Sequence, residues 1–226
     1  MRIATFALAA AAAMTTTASA QNLLSNGSFE TAGPGFVTFA DWMNYGNIFQ
    51  ADSGEAAPMD GSFTAKMFGA SSGAQSDQVL QQDVDANAGE LYTLTAYCQN
   101  LSSDALGEEN ILLTQLVFRD SGGNTIEAIE TPAISPTTDP LDTWVMSSLT
   151  GIAPEGTETI SVYLLHIQLG TDQGFPTQGG GASFWDNVSL VSGDAPCMNP
   201  ADLNGDGVLN FFDVSMFITE FSAGCP

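Results

Sequence analysis

Leu91-Tyr92-Thr93-Leu94-Thr95-Ala96-Tyr97-Cys98 alternates side chain by side chain. Tyr92, Leu94, Ala96 and Cys98 share one parity while Thr93, Thr95 and Tyr97 share the other, the period of two that a strand with one buried face imposes. Its aromatic and β-branched residues suit a pleated surface. Six further stretches carry strand signals: Phe63–Phe68, Gln78–Val84, Ile111–Asp120, Trp144–Leu149, Thr159–Leu169 and Ala182–Val191. Gly, Ser, Asn, Asp and Pro clusters separate them, and no amphipathic helix interrupts. Many short strands between turn signals predict an all-β fold, a β-sandwich. Cys98, on the apolar parity, is expected to be a buried free thiol and not a nucleophile.

Outward from these strands, both ends of the chain change character. Arg2, an apolar run from Phe6 to Met14 and Ala18-Ser19-Ala20 read as an export signal over residues 1–20, cleaved before Gln21. That run is too short to span a bilayer, and no later segment is long and apolar enough, so a secreted, extracellular or surface-attached protein is expected. Without the leader, two basic residues face 26 acidic ones, a net charge of −24. Such a field repels nucleic acid and anionic lipid and leaves neutral glycans and cations as compatible partners, although solubility alone also accounts for it. About 200 mature residues suffice for one core, here 21–191, a linker over 192–196, and a small appendage over 197–226.

The appendage holds Asp202-Leu203-Asn204-Gly205-Asp206-Gly207-Val208-Leu209-Asn210-Phe211-Phe212-Asp213. Oxygen-bearing side chains fall on alternate positions, then comes a glycine for a sharp turn, and an acid closes the loop six places later. This is the spacing of an EF-hand-like calcium loop. Asp202, Asn204 and Asp206 would ligate through side chains, Val208 through its carbonyl, Asn210 directly or through water, and Asp213 at the last position. Asn210 also predicts a helix N-cap, with Asp213 in the first turn. The other reading is an Asx-rich turn without metal. Cys197 and Cys225 flank the loop and are expected to pair, since an exported chain can keep a disulfide. Closing that loop would contribute roughly 3–4 kcal/mol on the chain-entropy account. Beyond the loop, Val214, Phe217, Ile218 and Phe221 form an apolar stripe that Phe212 and Met216 widen, expected either to pack on its own loop or to dock on a partner.

These residues resemble one repeat of a dockerin, the calcium-dependent docking module of bacterial secreted proteins, and Gly224-Cys225-Pro226 resembles the GC-type tails of that group. The resemblance implies attachment to a protein or surface partner. It departs from the paired-repeat dockerins in having one repeat, and Phe211 and Phe212 stand where cohesin-binding dockerins carry small hydroxyl residues. A second resemblance covers Asn22 to Val191. Asn22-Leu23-Leu24-Ser25-Asn26-Gly27-Ser28-Phe29-Glu30, Pro58-Met59-Asp60-Gly61-Ser62, Ala153-Pro154-Glu155-Gly156-Thr157 and Ala182-Ser183-Phe184-Trp185-Asp186-Asn187-Val188-Ser189-Leu190 are similar to landmarks of galactose-binding-like jelly rolls, within them the carbohydrate-binding modules attached to cellulases and xylanases. That likeness implies a jelly-roll β-sandwich whose first and last strands pair. It also implies a structural Ca2+ between Glu30 and Asp186, with Asp60 a further ligand, where two carboxylates would otherwise repel. The alternative leaves these acids facing water.

A sugar site needs an aromatic face for the C–H side of a pyranose and amides, acids or arginine for its hydroxyls. Tyr97 and Gln99, on the parity opposite Cys98, are candidates, with Gln115, Arg119, Trp144 and His166 as companions. Trp42, Trp144 and Trp185 are expected to pack as core rather than to serve as ligand platforms. His166 keeps the parity of Ile160, Val162 and Leu164, which suits a hydrogen-bonded strand residue. No Gly-x-Ser-x-Gly elbow accompanies it, and one histidine leaves no ordinary zinc set, so an enzyme is not expected. The sequence thus supports an exported, non-catalytic carbohydrate-binding-like protein with a calcium-dependent tail. The rival is a structural or adhesive exoprotein whose tail is a sorting or anchoring signal.

Overall fold

The computed structural model describes residues 21–70, 72–175, 179–194, 203 and 210–223. Ten strands form two antiparallel sheets: β1 (Met43–Tyr45), β2 (Ile48–Asp52), β3 (Phe63–Phe68), β4 (Ser76–Asp85), β5 (Glu90–Asn100), β6 (Asn110–Arg119), β7 (Thr125–Ile134), β8 (Val145–Ile152), β9 (Thr159–Gln168) and β10 (Ala182–Asp194). One sheet has the order β1, β4, β9, β6, β7 and the other β2, β3, β10, β5, β8. The expected β-sandwich is therefore present.

Alternation decides which side chains meet between the sheets. Leu80, Leu112, Leu116, Phe118, Ile160, Val162 and Leu164 from the first sheet pack against Met67, Leu94, Ala96, Cys98, Trp185 and Leu190 from the second, all essentially without solvent exposure. Cys98 is a buried free thiol, as its parity predicts. Trp42 and Trp185 are core residues. Phe29 packs on Phe39 and Trp42 with ring centroids 4.9 Å and 5.4 Å apart, closing one end of the sandwich. The opening segment lies along β10 without forming a strand of its own: Leu23 N–H donates to Leu190 O, and Val188 N–H to Gly27 O, each at 2.8 Å.

Three strands carry little sequence signal. β1 and β2 are short, and β7 is exposed along most of its length, so no apolar parity marks it. Pro132 sits in β7 at a sheet edge, where a missing N–H is tolerated. At the other end, β10 runs past the expected boundary at 191. Ser192, Gly193 and Asp194 pair with Tyr92, Leu91 and Glu90, so the first half of the expected linker is strand.

Past residue 194, helix α1 spans Phe211–Ala223. Asn210 caps it through a reciprocal arrangement. Its Oδ1 accepts from Phe212 N–H at 2.7 Å, while Asp213 Oδ2 accepts from Asn210 N–H at 2.8 Å. Phe211, Phe212, Val214, Met216, Phe217, Ile218 and Phe221 are all exposed. Among the described residues no helix is long and apolar enough to cross a membrane.

Candidate functional site

The outward face of the first sheet is open. Strand pairing aligns Met43, Gln81, Tyr163, Gln115 and Glu130 in one row across β1, β4, β9, β6 and β7. Five strands at about 4.8 Å give a lane roughly 19 Å long. Beside it runs a second row of Tyr45, Val79, Leu165, Leu113 and Pro132. Tyr163 is the central aromatic, and its neighbours fix it: Arg119 donates from Nη2 to Tyr163 Oη at 2.9 Å and from Nε to Ser161 Oγ at 2.8 Å. Arg119 Nη1 is tied in turn to Gly123 O and Thr125 Oγ1. Gln115 Nε2 donates to Glu130 Oε2 at 2.9 Å, and Gln81 Nε2 to Asp83 Oδ1 at 2.8 Å. The lane is a set of amides, acids and a phenol held in place by one another, a layout that can exchange hydrogen bonds with hydroxyl groups.

The other outward face is covered over β2, β3 and the start of β10, while Met146, Ser148 and Thr150 of β8 stay exposed. Residues 53–62, between β2 and β3, fold over it as a strap. Ala56 from the strap packs with Ala51, Phe68, Leu101, Trp144, Ala182 and Phe184 in a small core of its own. Trp144 Nε1 donates to Ala57 O at 3.2 Å. Asp186 Oδ2 accepts from Met59 N–H at 2.8 Å and Asp60 N–H at 3.1 Å, and Glu30 Oε1 from Ser62 N–H at 2.9 Å and Phe63 N–H at 2.8 Å. Gly61 permits this fit, since a Cβ there would stand 2.3 Å from the Glu30 carboxyl carbon. Lys66 and Glu55 pair beside it.

These contacts redistribute the sequence candidates. Gln115 and Arg119 lie on the open face. Tyr97, Gln99 and Trp144 belong to the opposite sheet, where Trp144 ties the strap down, and Gln99 is buried with its Oε1 unpaired. The six candidates are therefore not one site. His166 is corrected as a ligand contact: it is wholly buried between the sheets, out of reach of either face. Its Nε2–H donates to Asn110 Oδ1 and its Nδ1 accepts from Ser183 O–H, both at 2.9 Å, a neutral tautomer fixed because Asn110 Nδ2 is spent on Gly107 O and Gly180 O. Burial holds its pKa down at about 4. Tyr163, Gln81 and Glu130 are absent from the sequence candidates. Tyr163 was findable, because in β9 it falls out of phase with Val162 and Leu164.

Glu30, Asp60 and Asp186 do meet at one loop, where Glu30 and Asp186 accept from its backbone amides. Burial raises the Asp186 pKa, and N–H donation from Asp60, Asn187 and Met59 partly offsets it. Among the described residues no three acidic, histidine or cysteine side chains converge as a metal cluster. In the tail, Asp202, Asn204, Asp206 and Val208 lie outside the described residues, as do Cys197, Cys225 and the leader. Asp213 is buried, and its Oδ1 accepts from Leu203 N–H at 3.1 Å. The Asp213 carboxylate thus reaches back to the backbone of Leu203.

Comparison with solved structures places this fold. The carbohydrate-binding module TmCBM61, solved with β-1,4-galactotriose, superposes at a TM-score of 0.50 and 18% identity over 76% of this chain and 99% of that one. The enzymatically active domain of tailspike protein 4 from bacteriophage CBA120 superposes at 0.52 and 16% identity over 76% of this chain, which spans 21% of that longer one. No protein-family model and no curated protein matches the sequence.

Proposed function

We propose that the open face binds a neutral polysaccharide without chemical turnover, and that the calcium-shaped tail attaches the module to a protein or surface outside the cell. The supporting observation is the lane of Gln81, Tyr163, Gln115 and Glu130, ordered by its own hydrogen bonds on the face that the strap does not reach, in a sandwich whose fold is that of carbohydrate-binding modules. Arg119 holds Tyr163 in position beforehand, which lowers the ordering cost of binding. The acids along the lane and the charge of −24 favour neutral chains over acidic ones. A glycan array on the mature protein tests this reading: a signal lost in Tyr163→Ala supports it, and silence from folded protein favours the structural or adhesive role.

In the tail, Asp202, Asn204, Asp206, Val208, Asn210 and Asp213 would hold Ca2+, which would fix the loop against α1. The exposed apolar side chains of α1 support docking on a partner. Calcium titration of the mature protein should raise helix content, and Asp202→Ala should abolish the rise. A second calcium at Glu30, Asp60 and Asp186 would register there as a binding event that survives removal of the tail.

A further inference from the structure

At one rim of the strapped sheet a cleft of about 240 Å3 opens beside the end of β3, the β5–β6 connection and the start of β10. Among the described residues, Lys66, Phe68, Asp104, Gln168, Gly180 and Gly181 line it. Phe68 and Lys66 project from β3 on the side of the sandwich away from the lane. Phe68 is backed by Phe49, with centroids 5.4 Å apart and planes 10° from parallel. Lys66 Nζ stands 5.7 Å from the centroids of both Phe68 and Phe184, and Glu55 steadies it. Opposite them, Asp104 is presented from the short turn Ser102–Asp104.

The walls are set before any ligand arrives. Gly180 O accepts from Gly107 N–H at 3.1 Å and from Asn110 Nδ2 at 3.0 Å, which ties the rim to the buried His166 network. Gly181, at φ 93°, lies so close to Ala105 that a Cβ would meet that carbonyl oxygen at 2.3 Å. A carboxylate and an ammonium beside one aromatic ring suit a group that both donates and accepts, as a sugar hydroxyl does, while the ring takes the C–H face. The volume falls below the roughly 300 Å3 at which drug-sized pockets begin, which leaves room for one ring.

We propose that this cleft is a second sugar-binding site, taking one neutral sugar ring at the end of a glycan chain. Occupancy of the cleft is independent of the open face. The further consequence, one molecule bridging two chains from opposite faces, rests on the open-face reading as well.

The test is titration of the full-length protein, followed by NMR or calorimetry, with D-galactose, D-glucose, D-xylose and L-arabinose in turn. At least one should bind the wild type. Asp104→Ala and Gly180→Gln should each weaken that binding about tenfold or more. Gly180 is part of the lining and nothing lies within 4 Å of a Cβ there, so a side chain adds bulk at the cleft without straining the fold. No binding of any of the four by the wild type overturns the proposal, as does binding lost in Tyr163→Ala and kept in both cleft variants. Failure of the open-face reading looks different: binding of a longer oligosaccharide would be indifferent to Tyr163→Ala while the monosaccharide results stand.

Discussion

The two outward faces of this sandwich have the same origin, the second parity of alternating strands, and different fates. On one, Gln81, Tyr163 and Gln115 stay open and organise one another. On the other, Met146, Ser148 and Thr150 of β8 meet solvent, but Thr64, Phe184 and Asp186 are sealed beneath residues 53–62 and are as buried as the core between the sheets. Alternation alone does not tell a ligand face from a strapped one. The difference lies in a loop that is long enough to fold back, and in two carboxylates placed to take up its amides.

Four measurements test that contrast. The largest effect concerns the core that both faces share. His166 is held neutral with a pKa of about 4, against 6.5 when unfolded, so between those values only the unfolded chain binds the proton. Stability is full above pH 6.5 and falls as pH drops, by about 3 kcal/mol at pH 4. Chemical denaturation across that window should show the loss, and His166→Gln should lack this component. Next, Asp186→Ala leaves the strap amides of Met59 and Asp60 without their acceptor. A drop of roughly 2–3 kcal/mol in unfolding free energy is expected, with oligosaccharide affinity at the open face unchanged. Tyr163→Ala should do the reverse, weakening oligosaccharide binding about 30-fold, near 2 kcal/mol, at unaltered melting temperature. Smallest, Gln115→Ala should cost about fivefold in the same binding assay, near 1 kcal/mol. If the Asp186 variant lost sugar binding and the Tyr163 variant kept it, the assignment of the two faces would have to be exchanged.

The sandwich was legible because β5 and its neighbours alternate cleanly, and Cys98 and Trp185 went inside for that reason, whereas Trp42, ahead of β1, is buried by packing on Phe29. β7 was not, since both its faces meet solvent along most of its length and leave no apolar parity to read. Tyr97, Gln99 and Trp144 looked as suitable for a sugar as Gln115 and Arg119, because sheet membership is fixed by pairing between strands far apart in sequence. His166 shows the opposite lesson. Its parity with Val162 and Leu164 pointed to burial, and that signal outweighs its chemistry as a candidate ligand. The family resemblance implied that Glu30 and Asp186 meet, yet only the folded loop shows that backbone amides are their partners.

The extension of β10 through Asp194 has a mechanical consequence. β10 is the central strand of its sheet, antiparallel to β3 and β5 on either side. A pull along the polypeptide from that end would load it lengthwise, in shear, with the rungs on both flanks strained together and not unzipped singly. A molecule held by its carboxy-terminal end in moving fluid would thus be gripped at its toughest element.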